Sequence, residues 1–387
     1  MATAQQLTQF AVGLTERGHE VTVIASDRGY DDPTKRFPRR EMWQGIKIIR
    51  IPSFAFGKET KWRRAANFSS FLIVCSLRLL PLHRFDGVVA LSSPPLISVL
   101  GALFVQLKGG RFFFWVMDLN PEEAIAAGWL KKGSLTAKML ERILRYSLQH
   151  SHRVIVLDRF MKQRMLDKGI REEQIVVLPP WSHDGSISYD EEGRRAFRAR
   201  HHLSDEFVVM YSGNHSPCHP LDTLLEAALR LSSRTEIAFC FVGGGSEQAK
   251  VKAFTARHNL RNLKSLPYQP LEELPGSLSA ADLHTVVMGD DFAGIVHPCK
   301  VYNILKIGTP VLYIGPQESH ISDIAVRETN GYVVYSARHG ETGKVVDCIL
   351  DAAARKATGR VGNSPASSRK FAKDVLLPRM IEVLSDE

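Results

Sequence analysis

Residues 289–316, GDDFAGIVHPCKVYNILKIGTPVLYIGP, constrain the fold more than any other part of the chain. The apolar run at 283–288 predicts a strand before this stretch, residues 301–306 predict a helix, and residues 311–314 predict a second strand. A strand, loop, helix and strand in that order form one unit of a parallel sheet. The loop would bring backbone N–H groups, the Lys300 ammonium and a helix N-terminus to one place, a combination that suits a diphosphate. The alternative is an ordinary turn with a surface lysine.

The composition is typical of a globular protein with two or three domains, since 44% of the 387 residues are apolar and 24% are charged. The net charge is +9, and much of the excess lies in short basic clusters. Such clusters form solvated faces or meet nucleic acid, anionic lipid or an anionic substrate. No zinc finger, helix-turn-helix or basic repeat with interleaved aromatic residues supports nucleic acid, so we expect no nucleic-acid partner.

The cysteine pattern predicts a reducing, cytoplasmic location. The five cysteines are odd in number and widely spaced, with neither a disulfide framework nor a metal-ligand spacing, so no metal cofactor is expected. The first residues lack the features of a signal peptide, and the longest apolar stretch, 68–82, is too short for a bilayer span and contains Arg78.

Residues 58–82 predict a pair of helices. The basic and aromatic run Lys61, Trp62, Arg63 and Arg64 precedes the apolar stretch. One interpretation is an interfacial patch that contacts an anionic membrane peripherally. The other is a helix packed on the core with a basic outer face.

The domain prediction follows the order of elements. The chain begins with a helix at 2–17 and a strand at 20–25, whereas an α/β domain of this type normally opens with a strand and a Gly-rich loop. We expect either that the domain lacks its first strand or that the start was assigned too late. Residues 27–40 read as a loop. We assign 1–183 to an N-terminal Rossmann-like domain, 184–205 to a polar linker and 206–366 to a second α/β domain. The last helix, in 367–387, is expected to cross back to the first domain.

Three glycines of the second domain, Gly213, Gly243 and Gly294, follow predicted strands. In a doubly wound sheet such loops line one crevice beyond the carboxyl ends of the strands, and glycine lets the backbone approach a ligand closely. No loop has the G-x-G-x-x-G pattern with a following acid, nor a P-loop. In the first domain, Asp118 comes directly after the strand RFFFWV and is a further candidate.

Several segments together resemble the retaining glycosyltransferases of family four, which have the GT-B fold. YSGN at 211–214, FVGGG at 241–245, PYQPLEELP at 267–275 and PCKVYNILKIGTPV at 298–311 resemble the donor-site segments of that family. FWVMDLNPEEAIAAGWL at 114–130 resembles a subgroup that makes bacterial surface polysaccharide and O-antigen, of the colanic-acid type. The resemblance implies two facing doubly wound parallel-sheet domains with the active site in the interdomain cleft.

The resemblance also implies roles for individual residues, taken position by position. The diphosphate and sugar would meet Gly213 and Asn214, Lys300 would hold the diphosphate with the backbone of Gly294, Ile295 and Val296, and Asp118 would sit beside the donor sugar. The resemblance further implies that Tyr268 and Gln269 contact the base, that Asn303 contacts the ribose and that Gly243 belongs to the glycine loop. His219 would lie near the phosphates; the alternative is that it is only a residue at a helix N-terminus.

The reaction implied is transfer of a sugar from a nucleoside-diphosphate donor to a lipid-linked or polysaccharide acceptor, with retention of configuration. The protein would be cytoplasmic, with peripheral contact at the inner face of the cell membrane. Lys300, loop N–H groups and helix termini would stabilise the leaving diphosphate, without a metal. The sequence departs from the family at Asn303, where a glutamate is usual. Asn303 and the missing first strand favour a non-catalytic nucleotide-sugar-binding subunit, and a GT-B epimerase is a second alternative.

Overall fold

The computed structural model describes residues 2–29, 34–54, 61–182, 187–203, 205–327, 333–358 and 369–385. It divides into two compact units. Unit 1 contains Met1–Pro179 and Leu376–Glu387, and unit 2 contains Pro180–Val375.

After a first helix and three successive strands, helices and strands of unit 1 largely alternate along the chain. In order they are α1 (Ala2–Glu16), β1 (Thr22–Ser26), β2 (Arg40–Trp43), β3 (Ile46–Ile51), α2 (Lys61–Leu79), β4 (Gly87–Leu91), α3 (Ile97–Lys108), β5 (Arg111–Trp115), α4 (Glu122–Ala126), α5 (Leu135–Gln149), β6 (Arg153–Val156), α6 (Arg159–Asp167) and β7 (Ile175–Val177).

The strands of unit 1 form two sheets. One has the order β1-β3-β2, with β1 parallel and β2 antiparallel to β3, and the other is the parallel sheet β4-β5-β6-β7. The core of the second sheet is the run Phe112–Trp115 of β5, which is buried on both faces as is typical of parallel strands. The strand β2 was not predicted, because Arg40 and Glu41 begin it and its pairing partner lies across a turn. The predicted helix pair at 58–82 is the single helix α2 where the structure describes it.

The elements of unit 2 follow the same alternation. They are α7 (Glu191–Arg200), β8 (Phe207–Asn214), α8 (Asp222–Arg230), β9 (Ile237–Gly244), α9 (Gln248–Arg257), β10 (Leu263–Leu266), α10 (Leu274–Ser279), β11 (Leu283–Val287), α11 (Lys300–Ile307), β12 (Val311–Ile314), α12 (His320–Arg327), β13 (Val334–Ala337), α13 (Thr342–Ala357) and α14 (Lys373–Ser385).

The described strands of unit 2 form a parallel sheet in the order β10-β9-β8-β11-β12-β13. The chain proceeds outward from β8 in one direction, then returns to β11 and proceeds outward in the other. This reversal makes β8 and β11 the topological switch point, where α/β sheets bind ligands outside the carboxyl ends of the strands. The sheet is covered by apolar side chains of α8 and α13 on one face, including Leu224, Leu225 and Ile349.

The segment predicted as a linker, 184–205, contains the helix α7 instead of an extended connection. Arg194 and Arg198 of α7 bind the Asp282 carboxylate at 2.7 and 2.5 Å, and Lys356 of α13 adds a third cation at 2.7 Å. Burial alone would raise the pKa of Asp282, but Arg198, Lys356 and the Val208 N–H lower it below its usual range. The charged residues that suggested a linker therefore include two, Arg194 and Arg198, that form a buried ionic contact within unit 2.

The last helix, α14, begins in unit 2 and continues into unit 1. In unit 1, Leu377 and Ile381 pack against Gly13 of α1, where an added Cβ would lie 2.9 Å from a Leu377 methyl. Arg111 donates a hydrogen bond to the Leu384 carbonyl oxygen at 3.0 Å. Through these contacts the part of α14 from Leu376 onward packs within unit 1.

Candidate active site

The carboxyl ends of β8 and β9 approach each other so closely that both need glycine. A Cβ on Gly243 would lie 2.0 Å from the Gly213 carbonyl oxygen, and Gly243 has φ of +135°. Gly213 has φ of +141°, and a Cβ there would lie 3.0 Å from the Lys300 ammonium nitrogen. Two of the predicted glycine loops and the predicted lysine therefore meet at the switch point of unit 2.

Lys300 is the first residue of α11, and its Nζ atom is buried. Nζ has no hydrogen-bond partner among the described residues and lies 3.6 Å from the centroid of the Tyr211 ring. The Tyr211 hydroxyl donates to the Asn214 carbonyl oxygen at 2.6 Å, which fixes the ring under the ammonium. A ring face stabilises a cation only in part, so the ammonium is left without a full counter-charge.

Burial lowers the pKa of Lys300 to about 7. Loss of hydration disfavours the charged form of a lysine unless an anion replaces the water. An anionic ligand beside Nζ would restore the ordinary pKa and hold the lysine charged. The N-terminus of α11, with its partial positive charge, favours an anion at the same place.

Two histidines lie beside Lys300 in the loop after β8. His215 is fully buried against the Tyr211 and Phe241 rings, and neither of its ring nitrogens has a hydrogen-bond partner within the described structure. Burial, followed by the charge of Lys300, lowers the pKa of His215 below its usual range. The backbone of Gly244 and Gly213 acts in the opposite direction and raises the pKa of His215 in part.

His219 has a different environment. Its Nδ1 donates to the Val287 carbonyl oxygen at 2.8 Å, because a carbonyl can only accept. Burial, again followed by Lys300, lowers the pKa of His219 to about 3. In the free protein His219 is thus neutral, with Nε2 unprotonated, and it does not act as a cationic phosphate ligand in this state.

The loop from Gly294 to Val296 was expected to hold a diphosphate with its backbone N–H groups, but two of these groups donate within the loop itself. The N–H groups of Ile295 and Val296 both donate to the Phe292 carbonyl oxygen, at 3.0 and 3.1 Å, and both side chains are buried. These two N–H groups are occupied within the turn and do not face a ligand. Gly294 is also buried and has φ of +69°, so its role in the turn requires glycine.

The predicted base-side residues lie at the carboxyl ends of β9 and β10. Tyr268 is exposed, its ring packs over Gly244 and its hydroxyl donates to the Gly244 carbonyl oxygen at 3.1 Å. Gln269 follows it and donates to the Pro267 carbonyl oxygen at 3.0 Å. Asn214 is exposed at the end of β8, and Asn303 lies half-buried one turn into α11.

Asp118 lies in unit 1, just beyond the carboxyl end of β5. The Ser92 hydroxyl oxygen accepts hydrogen bonds from the N–H groups of Met117 and Asp118, at 3.1 and 3.0 Å, and so fixes the start of this loop. Burial, followed by repulsion from Glu123, raises the pKa of the Asp118 carboxyl to about 7. A carboxyl with such a pKa can exchange a proton near neutral pH.

Sequence reasoning missed Tyr211 and His215 as parts of the Lys300 environment. Tyr211 read only as an apolar residue of a buried strand, and its contact with a lysine 89 positions later, from 211 to 300, depends on the sheet. His215 follows Gly213 and Asn214 at a strand end, so its position was a usable signal.

The two halves of the chain match two families of glycosyltransferases. Residues 2–181 match the "Glycosyl transferase 4-like domain", and residues 193–358 match "Glycosyl transferases group 1". Both halves of the chain are therefore glycosyltransferase domains, which confirms the predicted enzyme class. The solved structures described below confirm the predicted GT-B fold with two parallel-sheet α/β domains.

Curated relatives and solved structures agree with this assignment. The chain is 26% identical over 309 residues to the putative colanic acid biosynthesis glycosyl transferase WcaI of Escherichia coli (strain K12), covering 76% of this chain and 75% of the relative. It is 24% identical over 242 residues to the probable glycosyltransferase WbjE of Pseudomonas aeruginosa, covering 62% of this chain and 60% of that protein.

Two solved structures share the fold over nearly the full chain. Sucrose-phosphate synthase from Thermosynechococcus elongatus superposes with a TM-score of 0.75 at 14% identity, covering 98% of this chain and 92% of that one. Anabaena Alr3699/HepE in complex with UDP and glucose has a TM-score of 0.73 at 15% identity, covering 98% and 95%. Among the described helices none has the length and apolar character needed to cross a bilayer.

Proposed function

We propose that this glycosyltransferase takes its sugar from a nucleoside-diphosphate donor whose diphosphate binds at Lys300. The observation that carries the proposal is the buried Nζ atom, which has no hydrogen-bond partner among the described residues. It lies at the switch point of a parallel sheet, beside two close-packed glycines and at the start of α11. A doubly charged diphosphate would supply the missing counter-charge.

The same arrangement suits the chemistry of transfer. The bond between the anomeric carbon and the diphosphate oxygen breaks, and negative charge develops on the leaving group. A buried ammonium and a helix N-terminus that are already in place stabilise this charge. For retention, the acceptor oxygen bonds to the same face of the anomeric carbon and its proton passes to the leaving phosphate. The proposed reaction uses no metal ion.

The relatives support the donor and acceptor classes. HepE was solved with UDP and glucose, which favours a nucleoside-diphosphate sugar as donor. The name of WcaI refers to colanic acid biosynthesis, which favours an acceptor in the synthesis of a bacterial surface polysaccharide, either lipid-linked or glycan.

We also propose peripheral contact of unit 1 with an anionic membrane. On α2, Ile73 and Leu77 are 61% and 63% exposed, and Leu80, just after the end of α2, is 60% exposed. Leu103 and Leu107 of the neighbouring helix α3 are exposed as well. Large exposed apolar side chains on adjacent helices form a surface that suits a lipid interface. Of the basic run considered from the sequence, the side chains of Lys61, Trp62 and Arg64 lie outside the described residues.

The first experiment is a thermal-shift titration of the full chain with UDP, GDP and ADP. Ligand at about 100 times its dissociation constant should stabilise the protein by roughly 2.7 kcal/mol. Lys300→Met should lose most of the shift, and Lys252→Met, which changes an exposed lysine of α9, should keep it. Adding EDTA should leave the shift unchanged.

A second experiment separates transfer from the other reactions of a bound nucleotide sugar. The donor that gives the largest shift is supplied with a radiolabelled sugar, with and without membrane extract as acceptor. Appearance of label in the extract together with free nucleoside diphosphate supports transfer. Binding without loss of sugar from the donor, or epimerised donor without an acceptor, would contradict it.

A further inference from the structure

A second candidate ligand site lies in unit 1, between the β2–β3 hairpin and α2. A groove with a volume of about 370 Å³ opens there. Its lining combines four arginines with aliphatic side chains, namely Arg39, Arg40, Arg50, Arg78, Ile49, Ile51, Pro52, Val74 and Leu77. No lining residue is a carboxylate, an amide or an aromatic residue.

Most of the positive charge of this groove is uncompensated. Arg50 is largely buried, with its side chain 13% exposed, and it pairs with Glu41 at 2.6 Å and donates to the Pro38 carbonyl oxygen at 3.0 Å. The side chains of Arg39, Arg40 and Arg78 form no hydrogen bond or ion pair within the described structure. Arg39 and Arg40 are exposed and Arg78 is half-buried, so their planar donor sets are accessible and match phosphate oxygens.

The apolar part of the groove continues onto an exposed surface. Leu77 lines the groove and also belongs to the exposed face of α2, with Ile73 four residues before it. Positions with this spacing share one face of a helix, and the exposed Leu80 follows directly after the helix ends. The charged end of a ligand in the groove would thus be continuous with an apolar track on α2.

The lining excludes several other ligand classes. A nucleoside needs ring contacts and amide or carboxylate partners for its base and ribose, and a sugar needs partners for its hydroxyls. The groove offers guanidinium groups and aliphatic carbon instead. A ligand that fits both is an amphiphile with a phosphate beside a hydrocarbon chain.

We propose that this groove binds the phosphate or diphosphate headgroup of a lipid-linked acceptor, with the hydrocarbon chain along Ile73, Leu77 and Leu80. The proposal deepens the proposed function, since it rests on a lipid-linked acceptor for the transferase. Arg39, Arg40 and Arg78 bind the headgroup, and Arg50, held by Glu41, shapes the inner wall.

The test uses farnesyl diphosphate, an amphiphile of this class that is monomeric in dilute aqueous solution, titrated into the full chain by calorimetry. The groove variant is Arg39→Ala with Arg40→Ala and Arg78→Ala. The matched control is Lys138→Ala with Arg142→Ala and Arg145→Ala, three exposed basic residues of α5 in the same unit. We expect saturable binding to the wild type and the control, and a loss of at least tenfold in affinity for the groove variant.

Further ligands separate the two parts of the site. Inorganic diphosphate and farnesol should each bind at least tenfold more weakly than farnesyl diphosphate. Leu77→Ser should weaken farnesyl diphosphate and leave inorganic diphosphate unchanged. Equal affinity for inorganic diphosphate would reduce the site to a simple anion site, and equal affinity for farnesol would reduce it to an apolar patch. Either result overturns the proposal.

Two more outcomes decide between this site and a general lipid surface. If the control variant loses farnesyl diphosphate as strongly as the groove variant, the binding is non-specific attraction to basic residues and the proposal fails. If the chain sediments with vesicles of phosphatidylcholine and phosphatidylglycerol but shows no saturable binding of farnesyl diphosphate, unit 1 contacts bulk lipid and the proposal fails as well.

The test is independent of the donor site. The groove variant should keep the full thermal shift with nucleoside diphosphates, and Lys300→Met should keep farnesyl diphosphate binding. Loss of the nucleotide shift alone would contradict the donor proposal, whereas loss of farnesyl diphosphate binding alone would contradict the groove.

Discussion

The ammonium of Lys300 lies 3.6 Å from the centre of the Tyr211 ring, at the point where two glycine loops of the second sheet meet. The ring comes from the middle strand β8 and the lysine from the first turn of α11. Tyr211 gives the cation a partial partner and keeps the site apolar. The pair therefore forms a dry, positively charged position that an anion can complete.

Binding of a nucleoside diphosphate should weaken as the pH rises above 7. The free protein has a Lys300 pKa of about 7, so deprotonation removes the counter-charge for the diphosphate. Each pH unit above this pKa should cost up to about 1.36 kcal/mol, or tenfold in affinity. Calorimetry at pH 6.5, 7.5 and 8.5 in two buffers of different ionisation enthalpy measures both the affinity and the proton uptake. A constant affinity without proton uptake would show that Lys300 does not hold the ligand.

Lys300→Met should raise the melting temperature of the free protein at neutral pH. The pKa of Lys300 is lower in the folded state, at about 7, than the usual 10.5. Below pH 7 the buried charge therefore lowers the free energy of unfolding by its full amount, and this penalty disappears as the pH rises towards 10.5. The gain from the methionine should be largest at pH 7 and below and should shrink by pH 10, as calorimetric melts at several pH values would show. An equal change at all pH values would argue against a buried ammonium.

Gly243→Ala should disrupt the nucleotide site as well as the fold. The new Cβ would lie 2.0 Å from the Gly213 carbonyl oxygen, so the two loops must separate. The matched control is Gly340→Ala, because Gly340 also has a positive φ, +83°, but has no atom within 4 Å of the added carbon. The control should lose about 1–2 kcal/mol from backbone strain alone and keep the UDP shift. If both variants keep the shift, the close approach of the loops is not needed for binding.

Asp282→Asn should destabilise unit 2 by about 3–5 kcal/mol, because it leaves Arg198 buried without its anion. The pKa of Asp282 is lowered in the folded protein, so its contribution is present above the usual carboxyl pKa and is lost as the pH falls through the lower folded value. The wild type should lose its advantage over the variant in strong acid. Urea titrations of the wild type and the variant at several pH values measure this difference in the free energy of unfolding. In the same titrations Asp351→Asn, which breaks an exposed pair with Arg355, should have a much smaller effect.

Asp118→Asn should lower the transfer rate by about 100-fold and leave nucleotide binding unchanged, the size expected for loss of one group that stabilises transition-state charge beside the donor sugar. Because the carboxyl pKa is about 7, the wild-type rate should change through neutral pH and the residual rate of the variant should not. The control is Asp86→Asn, an exposed carboxyl just before β4. Loss of the UDP shift in Asp118→Asn would point instead to damage in the fold.

The order of strands, loops and helices was readable from the sequence because it depends on local pattern. Apolar runs, a following glycine and a helical period locate Gly213 and Gly243 at strand ends and Lys300 at a helix start, and the carboxyl ends of parallel strands must share one edge of a sheet. Two features of the chain were misread locally. The polar segment that contains α7 looked like a linker, because the sequence does not show that Arg198 meets Asp282. The strand β2 looked like a loop because it starts with Arg40 and Glu41.

The amino-acid sequence by itself determined the two α/β halves, the glycines at the ends of β8 and β9, and the position of Lys300 at the start of a helix. Only the tertiary structure decided the state of those groups. In the folded protein the Lys300 Nζ atom is buried against the Tyr211 ring, and the N–H groups of Ile295 and Val296 donate within a turn. Arginines from a hairpin and a helix line one groove. Loss of hydration and hydrogen bonding depend on residues distant in the chain, so local pattern cannot reveal them.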